Sequence, residues 1–284
     1  YFNSQATKPV EFRIRQLQTL RRAILAYEKK INEALYSDLH KSEFESFATE
    51  IGLVLTEIGH HLGHLKSSAK PRRVPTNQMI HFWSSSRVYQ EPYGRVLIMA
   101  PWNYPFQLLV NPVVGAISAG NCITVKTSEY APHTAEVVQK MFHEFFPAEY
   151  IDVFLGGFEA NQALLAQQWD YIFFTGSPAV GKVVMEAAAK HLTPVSLELG
   201  GKSPCIVDED ANLKVAAARI VWGKLVNAGQ TCIAPDYLLV HHSVKERLLD
   251  MMKQKIRDYY GENPHQSIDY PRIATVQKTE RLAK

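Results

Sequence analysis

Residues 170 to 182 read Asp-Tyr-Ile-Phe-Phe-Thr-Gly-Ser-Pro-Ala-Val-Gly-Lys. An apolar run with strand character, 170–174, meets a turn at Gly176-Ser177-Pro178, and a helical pattern opens near Ala179. A strand that feeds a helix through a glycine-bounded loop is half of a βαβ unit. The free N–H groups and the dipole at the start of such a helix suit a phosphate. Gly176 and Gly181 have four residues between them and Lys182 follows, which nearly spells the phosphate loop of P-loop nucleotide triphosphatases. Val183, however, stands where magnesium coordination demands Ser or Thr, and the Gly-x-Gly-x-x-Gly pattern is also missing. On this segment alone, glycines that merely turn a tight strand–helix corner remain an open alternative.

The same alternation extends outward on both sides. Further strands are predicted at 95–100, 121–126, 151–155 and 204–208, and helices at 106–119, 133–146, 159–168, 179–191 and 211–227. Short apolar runs alternating with helical patterns predict a parallel sheet covered on both faces. In such open sheets ligands gather beyond the carboxyl ends of the strands. Upstream, Val10, Ile14, Leu17, Ile24, Ile31 and Leu35 recur at helical spacing, as do Phe44, Phe47, Ile51, Val54, Ile58, Leu62 and Leu65. Two long amphipathic helices follow, over about 9–38 and 42–67. A proline-bearing connector, Lys70 to Pro75, ends the second, and residues 80–90 read as a polar-faced strand within an excursion at 76–92.

With 284 residues and 46% hydrophobic content, the chain can bury one large domain and part of another. A net charge of +3 without a dense Lys/Arg run argues against nucleic acid as a partner. Cys122, Cys205 and Cys232 are too few and too scattered for a disulfide framework or a zinc site. No apolar stretch approaches the ~20 residues that span a bilayer and no signal-peptide pattern opens the chain, so the expectation is a soluble, cytoplasmic protein.

Four further segments carry chemistry. Gly229-Gln-Thr-Cys232 lies between the helix at 211–227 and an apolar run at 237–240, a junction where a thiolate can face a cleft, although a lone cysteine is more often a small buried hydrophobe. Leu197-Glu198-Leu199-Gly200-Gly201 puts a carboxylate in an apolar stretch, where burial disfavours the charged form and suits a general base; the alternative is a solvated Glu on a strand edge. Pro101-Trp102-Asn103-Tyr104-Pro105 holds an amide between two prolines, stiff enough to donate to a developing oxyanion, or an ordinary turn asparagine. Lys126 and Glu129 follow another strand end, and either meet ribose hydroxyls or form a surface ion pair.

Together, and in this order and separation, Pro-Trp-Asn-Tyr-Pro, Val-Lys-Thr-Ser-Glu, Phe-Thr-Gly-Ser, Leu-Glu-Leu-Gly-Gly-Lys and Gly-Gln-Thr-Cys resemble the NAD(P)-dependent aldehyde dehydrogenases over essentially the whole chain. The Cys-Ile-Ala-Pro-Asp-Tyr continuation and Tyr-Gly-Glu-Asn-Pro at 260–264 are similar to the class 3 branch, with its fatty and medium-chain aldehyde enzymes. The resemblance implies an α/β fold: an open parallel Rossmann-like sheet with N-terminal helices in 1–200, and the start of a second α/β catalytic domain in 201–284. It implies Cys232 as nucleophile, Glu198 as general base, and Asn103 with the Cys232 N–H as the oxyanion hole. Lys126 and Glu129 would hold the adenosine ribose of NAD or NADP, the Gly176–Gly181 loop with Ser177 would face the pyrophosphate, and Trp102 and Leu199 would complete the cofactor contacts. It further implies an aldehyde substrate, no metal, and a homodimer at full length.

Thr127 departs from the family's usual proline. The downstream Glu-x-Phe-Gly-Pro motif and the C-terminal strand that completes the dimer have no counterpart in residues 1–284, so the resemblance implies an incomplete catalytic domain. Two rival classes stand beside it: a magnesium-dependent P-loop nucleotide triphosphatase, opposed by Val183, and a non-catalytic binding domain, opposed by the joint presence of Cys232, Glu198 and Asn103.

Overall fold

A computed structural model describes residues 1–283. The first helix, α1 (Val10–Leu39), runs the whole predicted length and stops where His40 turns left-handed. The second predicted helix is one continuous rod with a wide turn in it: α2 (Glu43–Ser46), capped by the Ser42 hydroxyl, a π-helical turn Phe47–Ile51, and α3 (Gly52–Ser68).

The stretch read as connector supplies β1 (Arg72–Val74), and of the expected strand at 80–90 only β2 (Ser86–Val88) forms. The two pair antiparallel as a three-residue-deep hairpin base, and residues 77–84 form hydrogen-bonded turns between them. Pro71 and Pro75 bracket β1, which limits the ladder to three pairs.

The main sheet contains β3 (Arg95–Met99), β4 (Cys122–Lys126), β5 (Ile151–Phe154), β6 (Tyr171–Gly176) and β7 (Val195–Leu199), all parallel, in the order β5-β4-β3-β6-β7. The strand β7 is absent from the sequence prediction, because Ser196 and Glu198 interrupt its apolar run; it forms as an edge strand on β6. The crossovers are α4 (Gln107–Ala119), α5 (Pro132–Phe145), α6 (Phe158–Leu165) and α7 (Pro178–Ala189). Alternate residues of the central strand serve two cores. Val96 and Ile98 pack with α1, α3, α4 and α5, whereas Leu97 and Met99 pack with Leu164, Ile172, Phe174 and Val184 on the other face.

The predicted strand at 204–208 does not join this sheet. It forms β8 (Ser203–Val207), which pairs in parallel with β9 (Pro235–Val240) across the helix α8 (Leu213–Leu225), over a separate core that includes Val207, Leu213, Ala217 and Leu248. Two last helices follow, α9 (Lys245–Tyr260) and α10 (Val276–Leu282).

Strands β3, β4 and β5 step to one side of the sheet, and β6 then returns to the other side of β3. That reversal opens a crevice beyond the carboxyl ends of β3 and β6, the general position for ligands in doubly wound sheets. The loops after these two strands carry Trp102-Asn103 and Gly176-Ser177.

Candidate active site

A cavity of about 1200 Å³ lies at this crevice, large enough for a dinucleotide and a small substrate together. Its lining includes Trp102, Asn103, Gly176, Ser177, Glu198, Leu199 and Cys232, so seven of the ten residues singled out in the sequence converge there.

Cys232 stands at a corner of a four-residue turn that the Ala234 N–H closes onto the Thr231 carbonyl at 3.1 Å. It is exposed, as a nucleophile must be, while Cys122 is buried in β4. Among the described residues the Cys232 N–H has no hydrogen-bond acceptor, leaving a backbone donor free beside the thiol.

The turn is pinned from below. Asn227, fully buried, takes a left-handed conformation with Ala228, at φ 53° for both, and Gly229 continues it at φ 79°. Its N–H donates to the buried Glu45 carboxylate at 2.7 Å, and its Nδ2 donates to the Asn103 carbonyl at 2.6 Å. Burial pushes the Glu45 carboxyl up, against the pull of the Asn227 N–H and Lys41. The Asn103 side chain donates to the Gln230 carbonyl at 2.8 Å, and the Thr231 and Tyr104 hydroxyls meet at 2.5 Å. Burial, with further push from Glu45, Glu50 and Cys232, moves the Tyr104 phenol up to about 12, so it stays neutral at physiological pH.

Beneath the Asn103 loop sits a fully buried ion pair, Lys41 with Glu50. Glu50 also accepts the N–H groups of Phe106 (2.9 Å) and Gln107 (3.1 Å), capping α4, and Lys41 lies 4.1 Å from the centre of the Tyr104 ring. These groups fix the strand-end loop from the side away from the cavity. None of Lys41, Glu45, Glu50 or Asn227 was singled out in the sequence, where single polar residues on amphipathic helices carry no sign of burial.

Gln230 fastens the turn on its other side. Its Nε2 donates to the carbonyls of Asn227 and Arg272, each at 3.0 Å, and its Oε1 accepts the Ala274 N–H at 3.0 Å. The segment 270–275 thereby carries α10 across the cavity mouth, where Lys278 lies between the Trp102 and Tyr130 rings at 4.2 and 4.1 Å. Burial, reinforced by Arg281, lowers the Lys278 pKa, and Glu129 opposes it.

Two expectations need correction. Glu198 lines the cavity on the edge strand β7, but it is exposed, so the desolvated setting inferred from its apolar neighbours is not present. Gly181 does not belong to a ligand-facing loop: it is inside α7 and packs on β7, where a Cβ would stand 3.1 Å from Leu199. Its smallness brings helix and sheet together. Lys126 and Glu129 lie outside the cavity lining; Lys126 is buried, donates to the Thr127 carbonyl at 2.5 Å and stands 3.9 Å from Glu129, and burial lowers its pKa. The burial of Lys126 sets the pair apart from an ordinary surface ion pair.

The donor set at the crevice fits a nicotinamide dinucleotide. Gly176 ends β6 where a Cβ would stand 2.4 Å from the buried Phe174 ring, Ser177 caps α7 by accepting the Val180 N–H at 3.3 Å, and the positive end of that twelve-residue helix faces the cavity rim. Opposite it, Gly201 lets the linker after β7 pass the Cys232 turn, since a Cβ there would stand 3.2 Å from the Cys232 carbonyl.

Comparison with known proteins shows the family and the fold of the chain. The model of the aldehyde dehydrogenase family matches residues 1–283. The chain is 50% identical over 282 residues to the 4,4'-diaponeurosporen-aldehyde dehydrogenase of Staphylococcus aureus, covering 99% of this chain and 61% of that protein. It is 43% identical over 281 residues to the mouse dimeric NADP-preferring aldehyde dehydrogenase, covering 99% of this chain and 62% of that one. A solved substrate-bound state of Staphylococcus aureus AldH superposes with a TM-score of 0.96 at 50% identity, over 99% of this chain and 61% of the other. The chain thus spans about three fifths of the length of the proteins it matches. On the family match, the shared fold and the relatives' identity, residues 1–283 belong to the aldehyde dehydrogenase family.

Proposed function

We propose that the protein oxidises an aldehyde to the carboxylic acid with NAD or NADP as hydride acceptor. The observation that carries the reading is the convergence, in one cavity at the sheet's switch point, of an exposed cysteine, an amide donor, a carboxylate and a helix N-terminus. The division into a dinucleotide-binding part (1–200) and a catalytic part (201–284) belongs to the same reading, supported by the separate sheets and cores.

The Cys232 thiolate attacks the carbonyl carbon and a C–S bond forms, moving an electron pair onto the aldehyde oxygen. The free Cys232 N–H and the second Asn103 amide hydrogen, the first being engaged by Gln230, stabilise that oxyanion. A nicotinamide dinucleotide held at the crevice would supply the hydride acceptor, and the C=O bond reforms as the hydride departs. The product on the protein is a Cys232 thioester. Glu198, solvent-exposed at the cavity wall, takes a proton from water as that water attacks the thioester, and the thiolate leaves. Ser177 and the α7 N-terminus serve the pyrophosphate, with Trp102, Leu199, Lys126 and Glu129 as the remaining proposed cofactor contacts.

A homodimer is part of the proposal, on the strength of the relative named dimeric. A cytoplasmic setting fits three free cysteines, and no helix among the described residues is long and apolar enough to cross a membrane. In the full-length protein, Cys232→Ser is expected to abolish aldehyde-dependent reduction of NAD or NADP while dinucleotide binding persists, and Cys122→Ser to retain activity. Near-normal turnover of Cys232→Ser would overturn the assignment.

A further inference from the structure

The segment 41–50 sends three charged side chains, Lys41, Glu45 and Glu50, beneath the active site. Lys41 and Glu50 pair with each other, and Glu50 also caps α4. Glu45 is different. It is buried, no cation lies within 4 Å of its carboxylate among the described residues, and the Asn227 N–H at 2.7 Å is the single hydrogen bond that this carboxylate accepts there. A buried carboxylate with one N–H partner costs stability, since burial disfavours its charged form.

Its placement is nonetheless tightly fixed. The Glu45 N–H donates to the Ser42 hydroxyl at 3.3 Å, and its carbonyl accepts the Thr49 hydroxyl at 2.7 Å. The π-helical turn that follows does the aiming. In an unbroken α-helix, residues five apart point about 140° away from each other. The wide turn at Phe47–Ile51 relaxes that winding, so Glu45 and Glu50 both reach inward, one to the α8–β9 passage and the other to the start of α4. Gly52 permits this turn, because a Cβ there would stand 2.8 Å from the Phe47 carbonyl oxygen. These groups are interior, so further chain packed on residues 1–283 leaves their contacts in place.

We propose that Glu45 is a positioning residue: its ionised carboxylate holds the Asn227 N–H, and so fixes the left-handed turn that aligns Cys232 with the Asn103 amide. The inference rests on Cys232 as the nucleophile of the dehydrogenase reading. A charge-assisted hydrogen bond is about twice as strong as a neutral one, so protonation of Glu45 loosens the turn. Burial raises the Glu45 pKa; the Asn227 N–H and Lys41 oppose this, and Glu50 and Asp269 add to it. Tyr104 and Tyr260 are the other titratable groups facing the carboxylate. Alignment is therefore complete at alkaline pH and is lost as pH falls through a value above the ordinary carboxylate range.

Acylation of the full-length protein by p-nitrophenyl acetate tests it, with Cys232→Ser as the blank. Thiolate attack on this ester needs the oxyanion alignment but no dinucleotide. At alkaline pH the parent is expected to acylate about tenfold faster than Glu45→Gln, which keeps an acceptor for the N–H but no charge. The ratio should approach one as pH falls, because protonated Glu45 and Gln are then alike, and the ionisations of Cys232 and Glu198 cancel in it. Glu45→Asp withdraws the charge by one methylene; it should show the same narrowing ratio, and it carries the test if the Gln variant does not fold. Unfolding in urea separates positioning from a structural role. With the folded-state pKa raised, the stability contributed by the protonated form is lost as pH rises through that value. Uncharged Glu45→Gln should therefore unfold at or above the parent's midpoint at alkaline pH. A ratio near one throughout, a ratio that does not change with pH, an Asp variant as fast as the parent, or a Gln midpoint that falls along with the rate would each overturn the proposal. If the parent acylates with the expected ratio but does not oxidise aldehydes, the dehydrogenase reading fails and the positioning role stands.

Discussion

Asn103 holds the site together from both ends of its own residue: its carbonyl receives Asn227 Nδ2 and its side chain reaches the Gln230 carbonyl. Removing the side chain leaves the carbonyl clamp intact, so Asn103→Ala should lose the oxyanion donor with little collapse. In the full-length enzyme kcat is expected to fall by about 10²–10³-fold, with a much smaller change in KM. A loss confined to KM would make the amide a ground-state contact. Glu198 acts at a different step. Because it is exposed and reaches the cavity from an edge strand, its proposed partner is a water rather than the Cys232 thiol. Rapid mixing of full-length Glu198→Gln with aldehyde and cofactor should then give a burst of reduced cofactor near one equivalent per site, followed by a slow steady state that hydroxylamine accelerates. Absence of both burst and rescue would move Glu198 to the activation of Cys232.

At the scale of elements, the informative piece is the passage from α8 to β9. Three successive left-handed residues, Asn227, Ala228 and Gly229, reverse the chain so that Gln230 and Cys232 come up under the cavity. Asn and Gly tolerate that conformation, but Ala228 stores strain in it. Ala228→Gly is expected to raise stability by about 0.5–1 kcal/mol in urea unfolding, the relief of strain exceeding the entropy lost by glycine. Destabilisation would mean that the alanine methyl contributes packing that outweighs the strain. The flanking α4 loop is fixed differently, by the buried Glu50 carboxylate on the Phe106 and Gln107 N–H groups. One wall of the site is therefore strained and the other is tightly capped.

At the largest scale, residues 1–283 fall into two unequal parts. The five-stranded sheet is packed on both faces, whereas β8 and β9 leave Ile206, Tyr237 and Leu239 exposed on one side. Amide exchange should therefore be slowest in β3 and β4 and markedly faster in β8 and β9, since local opening follows buried contact. Equal protection across the two sheets would show that they open as one unit. The nucleophile's turn lies between α8 and β9, in the more loosely packed half, while Asn103 belongs to the more rigid one. Gln230 and the 270–275 segment tie the two sides of the cavity together.

The sequence by itself determined the parallel sheet and the residues of the cleft. Periodicity of two and of 3.6 is a local property, and β3 to β6 with their crossover helices follow from it; Cys232, Asn103 and Glu198 were legible because each sits in a short segment whose chemistry is unusual for a loop. Tertiary structure decided everything that depends on burial and on the partner across a gap. It made Arg72–Val74 a strand by giving it β2 to pair with, and made Val195–Leu199 a strand by adding it to the edge of β6, where one face stays wet and Glu198 with it. It moved Gly181 from a loop into a helix–sheet contact and buried Lys126. It also placed Lys41, Glu45, Glu50 and Asn227 beneath the site, with the hydrogen-bonded Glu45 and Asn227 182 residues apart in the chain. Whether a lysine or glutamate on an amphipathic helix meets water or a buried partner is set by what the rest of the chain folds against it, and no local pattern encodes that.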